Sequence, residues 1–422
     1  SRSTPAPTSS SISSSSPSRT STAIVDPMTG TQTEINEHGP AVSPEEAQEF
    51  QRRLEFLMEY ATAVVFAGSL PPNLEKEDDG TLILLNNRGF LWGRKPDTMS
   101  RLRDWAFADG APVRRLREAG ALLVGKTTVP ELCLWPFTES EAFGATRNPW
   151  NLDHTPGGSS GGSGAALAAA MVPLALATDG GGSIRMPASS CGLVGIKPGH
   201  GVVPFPDGVS SWCGMSEFGP LATTVADLGL FLDVLAGTTT CRAVQGPDRS
   251  LRIGVTAKPP AVGVRVDPEV RAALDATAEA LRDAGHQVAA AEPPWRNGDP
   301  APFLRRAFLG CAEDADGKDW GSLEPRTRAE ARVGRLLRRA GPAPGGPPAG
   351  VLARFQAWFE DHDVLLCPTQ AALPLRIGAY RGKGMARTIL GLTGYMPFTP
   401  AFNLVGFPAA SVPAGSSRSG LP

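Results

Sequence analysis

The chain has 422 residues, of which 41% are hydrophobic and 19% are charged, so it can bury a sizeable core as one large domain or two ordinary ones. Its formal net charge of −2 excludes a general electrostatic attraction to nucleic acid or to anionic membranes. The longest apolar run, residues 165–177, contains a proline and is too short to span a bilayer, so no membrane partner is expected.

The N-terminal part of the chain shows little regular patterning. Residues 1–22 are rich in serine and proline, cannot bury a core, and are predicted to be disordered. Residues 43–61 predict a helix with Ser43 as its N-cap, and residues 63–72 predict a buried strand. Residues 75–97 contain one short apolar run and are predicted to form an irregular junction.

Strand and helix patterns alternate from Ala111 onwards. Residues 112–120 predict a helix that ends at a glycine, and residues 121–127 predict a strand. Residues 268–284 predict an amphipathic helix and residues 362–369 a buried strand, whereas the C-terminal residues show no closing helix or strand. The alternation predicts an α/β fold around a mixed sheet.

The six cysteines are scattered through the chain, with no C-x-x-C pair and no Cys/His spacing of a zinc site. Thiols of this kind are typical of a reduced, cytoplasmic protein. We therefore predict a cytoplasmic location and no bound metal.

Two segments rich in serine and glycine flank an apolar strand: GGSSGGSGAA, which starts at residue 157, and TDGGGSIR, which starts at residue 178. A flexible linker seldom encloses an apolar strand, so a functional role is favoured over a linker. A serine hydroxyl attacks a carbonyl carbon when a base removes its proton, and the oxyanion that forms needs backbone N–H donors. Gly180, Gly181, Gly182 and the amide of Ser183 could supply these donors, because glycine has no Cβ to obstruct them.

These segments, together with the longer stretch LATDGGGSIRMPASSCGLVGIKP, resemble the amidase signature family, whose members are Ser–cis-Ser–Lys hydrolases of linear amides. The stretches FGATRNPWNLDHTPGGSS and FNLVGFPAASVPAG are also typical of the family, and the resemblance covers residues 98–422. It implies one large α/β/α domain, in which helices flank a mixed sheet, and a small-molecule amide as substrate. It implies no metal or organic cofactor, and it leaves a homodimer open as the assembly.

The resemblance also implies roles for individual residues. By position, Ser183 matches the nucleophile, and Ser159 matches the bridging serine, which follows a cis peptide bond and relays the proton. Ser160 matches a neighbouring hydrogen-bonding serine, and Gly180–Gly182 match the oxyanion loop.

Two charged residues beside this loop have two readings. Asp179 and Arg185 match family positions that brace the loop, and they form either a structural salt bridge or a contact to the substrate. Gly180 departs from the family pattern, which more often has threonine or isoleucine at this position.

The family's base is a lysine on a buried upstream strand, followed by an acidic residue, and it is missing here. An ungapped extension places that strand on TLILLNN, with Leu85 near the lysine position and Asn86 near the acidic one. Lys76 and Lys95 lie in no suitable strand, and Lys126 belongs to a different family motif and stays a remote candidate. The predicted function is an amidase that forms an acyl-serine, with a catalytically impaired pseudo-amidase as the alternative.

A second resemblance concerns residues 20–74. The NEHGP stretch and the strand that ends in GSLPP resemble an internal piece of a sugar-phosphate kinase of the ribokinase (PfkB) type, but the G-A-G-D motif of that family is absent. We therefore predict a chimera, in which a kinase fragment is the weaker functional alternative. Its segments are a disordered N-terminus (1–22), the kinase-like fragment (23–74), the junction (75–97) and an amidase domain truncated at both ends (98–422).

Two further segments match known sequence motifs, but the residues around them do not fit the structures that those motifs require. GALLVGKT at 120–127 matches the P-loop expression, but its centre has the pattern of a strand rather than of a phosphate loop. GGSSG at 157–161 matches the nucleophile elbow of the α/β-hydrolases, which would also need a histidine such as His200, His286 or His362. The basic run 326–339 predicts a solvated helix face with no role in nucleic-acid binding.

Overall fold

The computed structural model describes residues 111–422, except 206–211, 242–245, 248, 297 and 342–344, together with three upstream strands. The chain divides into two units, Ser1–Gly80 and Thr81–Pro422. In the first unit, β1 (Ser21–Val25) pairs antiparallel with β2 (Gln32–Asn36), so the last two residues of the predicted disordered segment belong to a strand. The helix predicted over 43–61 and the strand predicted over 63–72 lie outside the described residues.

Strands and helices alternate along the second unit, as the patterning predicts. Its strands are β3 (Leu82–Asn86), β4 (Leu122–Thr127), β5 (Glu139–Ser140), β6 (Gly144–Ala145), β7 (Leu174–Asp179), β8 (Val194–Lys197), β9 (Glu217–Ala222), β10 (Arg252–Val255), β11 (Gln287–Ala290), β12 (Val364–Leu366) and β13 (Ala409–Ser411). Its helices are α1 (Ala111–Glu118), α2 (Gly161–Ala168), α3 (Arg185–Cys191), α4 (Val225–Ala236), α5 (Pro268–Asp283), α6 (Pro300–Ala315), α7 (Pro325–Arg339), α8 (Ala349–Asp361), α9 (Met385–Tyr395) and α10 (Pro400–Val405).

Six strands form the central sheet, in the order β13-β8-β9-β7-β3-β4. β3 lies between β7 and β4 and runs parallel to both, whereas β9 runs antiparallel to its neighbours and β13 antiparallel to β8. The position of β3 corrects the prediction of an irregular junction over residues 75–97, because the apolar run there pairs with a strand on each side. The prediction that the C-terminal residues form no closing strand is also wrong, since β13 forms one edge of the sheet.

Helices cover both faces of this sheet. On β7, Leu174 and Leu176 pack into a core with α1 and α4, whereas Ala175 and Ala177 pack into a core with α2 and α3. This alternation follows from the two-residue period of a strand. The small alanines on the second face let α2 approach the sheet closely, and the α/β/α arrangement agrees with the predicted fold.

A smaller parallel sheet, in the order β11-β10-β12, lies in the C-terminal half of the chain. Helix α5 begins where predicted, because Asp267 caps it by accepting a hydrogen bond from the Glu269 amide at 2.8 Å. The strand predicted over 362–369 is shorter than expected and spans Val364–Leu366.

Helix α7 packs along α6 through one face. The buried residues of that face recur every three or four positions and include Glu330 and Gly334. A Cβ on Gly334 would lie 1.9 Å from the backbone oxygen of Phe308, so only glycine permits this approach. Exposed arginines, among them Arg335 and Arg338, form the solvated face predicted for 326–339. No helix in the described part of the chain combines the length and the apolar character needed to cross a membrane.

Candidate active site

The two serine segments meet at the end of strand β7. The Gly158–Ser159 peptide bond is cis, and both Ser159 and Ser160 are buried. The Ser160 amide donates to the backbone oxygen of Ser183 at 3.3 Å, and the Ser160 hydroxyl donates to the backbone oxygen of Thr178 at 3.3 Å. The structure therefore brings together the serine positions that the sequence singles out.

Close backbone packing explains the glycines of the first segment. A Cβ on Gly158 would lie 2.6 Å from the backbone nitrogen of Phe137, and a Cβ on Gly162 would lie 2.5 Å from the backbone of Thr128. Neither neighbour is a side chain that can rotate away. The segment around Ser159 is consequently held against the 128–137 stretch with no room for larger residues.

The glycines of the second segment are required for a related reason. Gly182 has φ +134°, and a Cβ there would lie 2.6 Å from Thr399 Oγ1. A Cβ on Gly181 would lie 2.9 Å from Phe303 Cζ, at the wall of a cavity that Gly181 and Ser183 both line. Ser183 is the less buried of the serines, which leaves its hydroxyl next to that cavity.

The amides of this loop do not all face the cavity. The Gly182 amide donates to Asp179 Oδ1 at 2.6 Å, so its N–H is engaged within the loop, and its role as an oxyanion donor stays a prediction. Among the described residues, the amides of Gly181 and Ser183 donate no hydrogen bond. Gly180 packs against Ser216 and Trp212 and does not line the cavity. Two of the four predicted donors, Gly181 and Ser183, therefore remain at the cavity.

Asp179 and Arg185 form a buried bidentate ion pair under the loop. Arg185 Nε donates to Asp179 Oδ2 at 2.9 Å and Arg185 Nη2 to Oδ1 at 3.0 Å, while the Ile184 amide donates to the same carboxylate at 3.2 Å. Burial alone would raise the pKa of the Asp179 carboxyl, but Arg185 and Asn403 hold it well below its usual range. Both side chains are turned away from solvent, so the pair braces the loop, which is one of its two predicted readings.

Two residues from the C-terminal part of the chain complete this network. Asn403 Oδ1 accepts from Arg185 Nη2 at 2.6 Å, and Asn403 Nδ2 donates to the Asp179 backbone oxygen at 2.8 Å. Thr399 accepts from Arg185 Nη1 at 3.0 Å through its backbone oxygen, and its hydroxyl donates to the Gly181 backbone oxygen at 2.7 Å. Sequence reasoning did not single out either residue, although Asn403 belongs to the FNLVGFPAASVPAG stretch.

Strand β3 occupies the place where the family's base lysine was sought. In register, Leu84 pairs with Gly125 and Asn86 with Thr127, whereas Leu85 pairs with Lys126. The Thr127 hydroxyl is hydrogen-bonded to Ser163 on α2 at 2.8 Å, so the Thr127 side chain lies on the face of the sheet that α2 covers. Lys126, the residue before it on β4, therefore belongs to the opposite face.

The position expected for the base stays a prediction. Leu85, where the sequence places the family's lysine, and Asn86, where it places the acidic neighbour, both belong to β3, and neither is a base. Lys126 belongs to β4, and burial lowers the pKa of its ammonium.

Lys197 is a buried lysine that sequence reasoning did not name as a site residue. It ends β8 and donates through Nζ to the Pro198 backbone oxygen at 2.7 Å. Burial first, and the nearby Arg185 second, lower its pKa to about 8. Its Nζ is engaged by that carbonyl, and its motif, GIKP, would have been the signal to find it.

The cavity beside Ser183 is mostly apolar. It encloses about 1150 Å³, including its open mouth. The segment that follows Trp295 provides part of its wall, including Phe303 and Leu304. Other apolar side chains that line it are Trp135, Trp212, Met396 and Leu404.

The alternative motifs do not form sites. Residues 122–127 form β4, so the P-loop expression falls on a strand. His200 is hydrogen-bonded to Glu217 at 2.7 Å, and neither it nor His286 or His362 lines the cavity, so the nucleophile-elbow reading lacks its histidine there. Within the described ranges, no group of three or more His, Cys, Asp or Glu side chains could hold a metal ion.

A mixed sheet between two helical layers thus carries two buried serines, Ser159 and Ser160, beside the glycine loop that holds Ser183. The chain belongs to the amidase family, whose model matches residues 101–305 and 349–422, more than half of the sequence. The match begins downstream of residues 20–74, and the kinase resemblance of that stretch finds no support.

Known relatives agree with this membership. The putative amidase AmiB2 of Mycobacterium tuberculosis (strain H37Rv) is 43% identical over 326 residues, which cover 75% of this chain and 70% of that protein. The putative amidase AmiA2 of the same strain is 38% identical over 328 residues, which cover 74% of this chain and 67% of that protein. The solved structure of 6-aminohexanoate cyclic dimer hydrolase complexed with substrate has a TM-score of 0.67 at 28% identity, covering 90% of this chain and 89% of that chain.

Proposed function

We propose that this chain hydrolyses a linear carboxylic amide to a carboxylate and ammonia or an amine, through an acyl intermediate on Ser183. The observation that carries the proposal is the position of Ser183 at the cavity wall, next to two amide N–H groups that donate no other hydrogen bond among the described residues. These N–H groups, of Gly181 and Ser183, are the proposed oxyanion donors. Each donor of this kind contributes about 3 kcal/mol to stabilisation of the transition state.

The chemistry proceeds in two balanced steps. The Ser183 oxygen attacks the amide carbon, its proton passes to the departing nitrogen, and the C–N bond breaks to leave an ester on Ser183. A water molecule then attacks the ester, returns a proton to the Ser183 oxygen and releases the carboxylate. Neither step requires a metal or an organic cofactor.

The neighbouring residues take the roles that the resemblance implies. Ser159 relays the proton between Ser183 and a base, and Ser160 holds the two segments together through its bonds to Ser183 and Thr178. Asp179 and Arg185 position the loop and do not contact the substrate, because both are buried beneath it.

The missing base limits the proposed activity. Leu85 and Asn86 stand where the resemblance places the family's lysine and its acidic neighbour, so the proposed amidase lacks that base and turns over slowly. By analogy with catalytic-triad knockouts, an oxyanion hole and substrate binding alone retain about 10³–10⁴-fold acceleration over the uncatalysed reaction. The alternative is a pseudo-amidase that binds the amide without turnover. No observation favours a sugar-phosphate kinase.

The apolar cavity supports a substrate with a bulky apolar group on the acyl or the amine side. We place the protein in the cytoplasm because buried thiols such as Cys191 and Cys311, whose pKa values burial raises, suit a reducing compartment. A homodimer stays open as the assembly.

The proposal is tested by release of 4-nitroaniline from 4-nitroanilides of increasing acyl length. We expect slow release by the natural chain, slower release by Ser183→Ala, which keeps the backbone donors but cannot form the acyl-serine, and an unchanged rate for Ser189→Ala, a serine variant outside the loop. Measurable release at equal rates by Ser183→Ala and the natural chain would overturn the proposal. Release from none of the anilides would favour the pseudo-amidase.

A further inference from the structure

The acidic side chain of Glu330 lies in the mostly apolar wall of the cavity. Glu330, on the buried face of α7, lines the cavity and is 6% exposed. Its Oε2 atom has no hydrogen-bond partner among the described residues. A buried polar atom without a partner is costly, and such an atom at a binding cavity is expected to find its partner in the ligand.

The nearest charges do not explain Glu330. Arg326, one turn earlier on α7, pairs with Glu324 at 2.9 Å and lies over the ring of Trp135 at 5.2 Å. Its guanidinium is therefore engaged by another carboxylate and by an aromatic face. On the α6 side, Cys311 is a buried thiol whose pKa is raised by burial first and by nearby carboxylates including Glu330.

Burial also sets the protonation state of Glu330. It raises the pKa of this carboxyl to about 8, and Arg326 offsets only part of the effect. At neutral pH the group is therefore mainly a neutral carboxylic acid, which can donate one hydrogen bond and accept others.

Glu330 lies between residues 305 and 349, the gap between the two stretches that the family model matches. Residues of this gap and of the preceding stretch, among them Phe303, Ala307 and Glu330, line the cavity.

We propose that Glu330 determines substrate specificity by donating a hydrogen bond to a neutral acceptor, such as a second carbonyl, on the apolar part of the substrate. The preferred substrate is then an uncharged, bulky amide with a further carbonyl group. This inference rests on the proposed function, since it takes the cavity beside Ser183 as the substrate site.

The test measures binding in the Ser183→Ala background, so it does not depend on turnover. The probes are the 2′-, 3′- and 4′-acetyl derivatives of acetanilide, each compared with the isopropyl derivative of the same shape that lacks the carbonyl. Dissociation constants come from equilibrium dialysis at pH 6.5, with Glu330→Gln, Glu330→Met and, as a matched control on the neighbouring helix, Glu313→Met.

We expect at least one acetyl probe to bind about fivefold more tightly than its isopropyl partner, the ratio that one net hydrogen bond gives. Glu330→Gln keeps this preference because its amide can still donate, Glu330→Met abolishes it, and Glu313→Met leaves it unchanged. A preference that survives Glu330→Met would overturn the inference, as would equal binding of both members of every pair or no binding of any probe. Tighter binding of 4′-aminomethylacetanilide, lost in Glu330→Met, would show a carboxylate that binds cations and would also overturn it.

Discussion

Replacing Arg185 by methionine tests whether the buried ion pair holds the serine loop. Arg185 and Asp179 have side chains that are 3% and 0% exposed, and the two hydrogen bonds between them are 2.9 and 3.0 Å long. In Arg185→Met the carboxylate keeps the amides of Gly182 and Ile184 and the amide group of Asn403, but it loses its counter-charge. Removing one partner of such a buried pair costs about 3–5 kcal/mol.

The matched control is an exposed pair in the same molecule. Arg249 bonds to Asp363 at 3.0 Å, but the arginine side chain is 61% exposed and Arg252 holds the same carboxylate. Arg249→Met should therefore cost less than about 1 kcal/mol. The two variants differ in burial rather than in the kind of interaction.

The assay is urea unfolding followed by tryptophan fluorescence, at pH 7 and in steps down to pH 4. Because the pKa of Asp179 is depressed in the folded protein, its stabilising contribution is complete above the ordinary pKa of aspartate and is lost only at much lower pH. In Arg185→Met that loss should begin at a higher pH. If Arg185→Met changed the free energy of unfolding at pH 7 by less than about 1 kcal/mol, the buried pair would not be what holds the loop.

Three further predictions concern the loop, the base and the cavity. Gly182→Ala should lower the free energy of unfolding by about 1–3 kcal/mol and weaken activity, because the new Cβ would meet Thr399 at a residue whose φ is +134°. The control Gly378→Ala, where φ is +79° and the surroundings are open, should cost less. Equal costs would show that the contact with Thr399 does not contribute. Leu85→Lys should raise the rate of amide hydrolysis by about 10²–10⁴-fold, measured by 4-nitroaniline release, because Leu85 stands where the sequence places the family's base. Leu84→Lys, one residue earlier on β3, should give no such gain, and an unchanged rate in Leu85→Lys would argue against this placement of the base. The pKa of the Glu330 carboxyl is raised from 4.5 to about 8, so the folded protein loses stability as pH rises through that window. Glu330→Gln should therefore be more stable than the natural chain at pH 9, by up to about 4 kcal/mol, and equally stable near pH 4. Urea unfolding at both pH values checks this, and equal stability at pH 9 would contradict a buried neutral carboxyl.

Local patterns carried much of the fold. The helix over 268–284 and the strand over 121–127 follow from apolar periodicity and from caps such as Asp267, which are local signals. The pairing of β3 between β7 and β4 was missed because its five residues show no periodicity of their own. Its strand state depends on partners that come later in the chain.

Some features of the candidate site could likewise be predicted from local sequence, and others could not. Ser183, Ser159 and the glycines are recognisable because close packing and a positive φ restrict the residue type. The contacts of Asn403 with Asp179 and Arg185 join residues more than 200 positions apart in sequence, which no local pattern encodes. Glu330 was not recognised as a buried residue, because it lies in a basic run and, unlike an apolar residue, a glutamate does not indicate burial in the sequence.

The most direct test of the central claim is covalent labelling of Ser183 by a fluorophosphonate probe, with the modified residue located by peptide mass spectrometry. We expect a label on Ser183 that forms more slowly than in a family member with its lysine, disappears in Ser183→Ala, and persists in Ser189→Ala. Absence of the label on Ser183, in an experiment where the lysine-containing family member is labelled, would contradict the claim that this loop still presents a nucleophile.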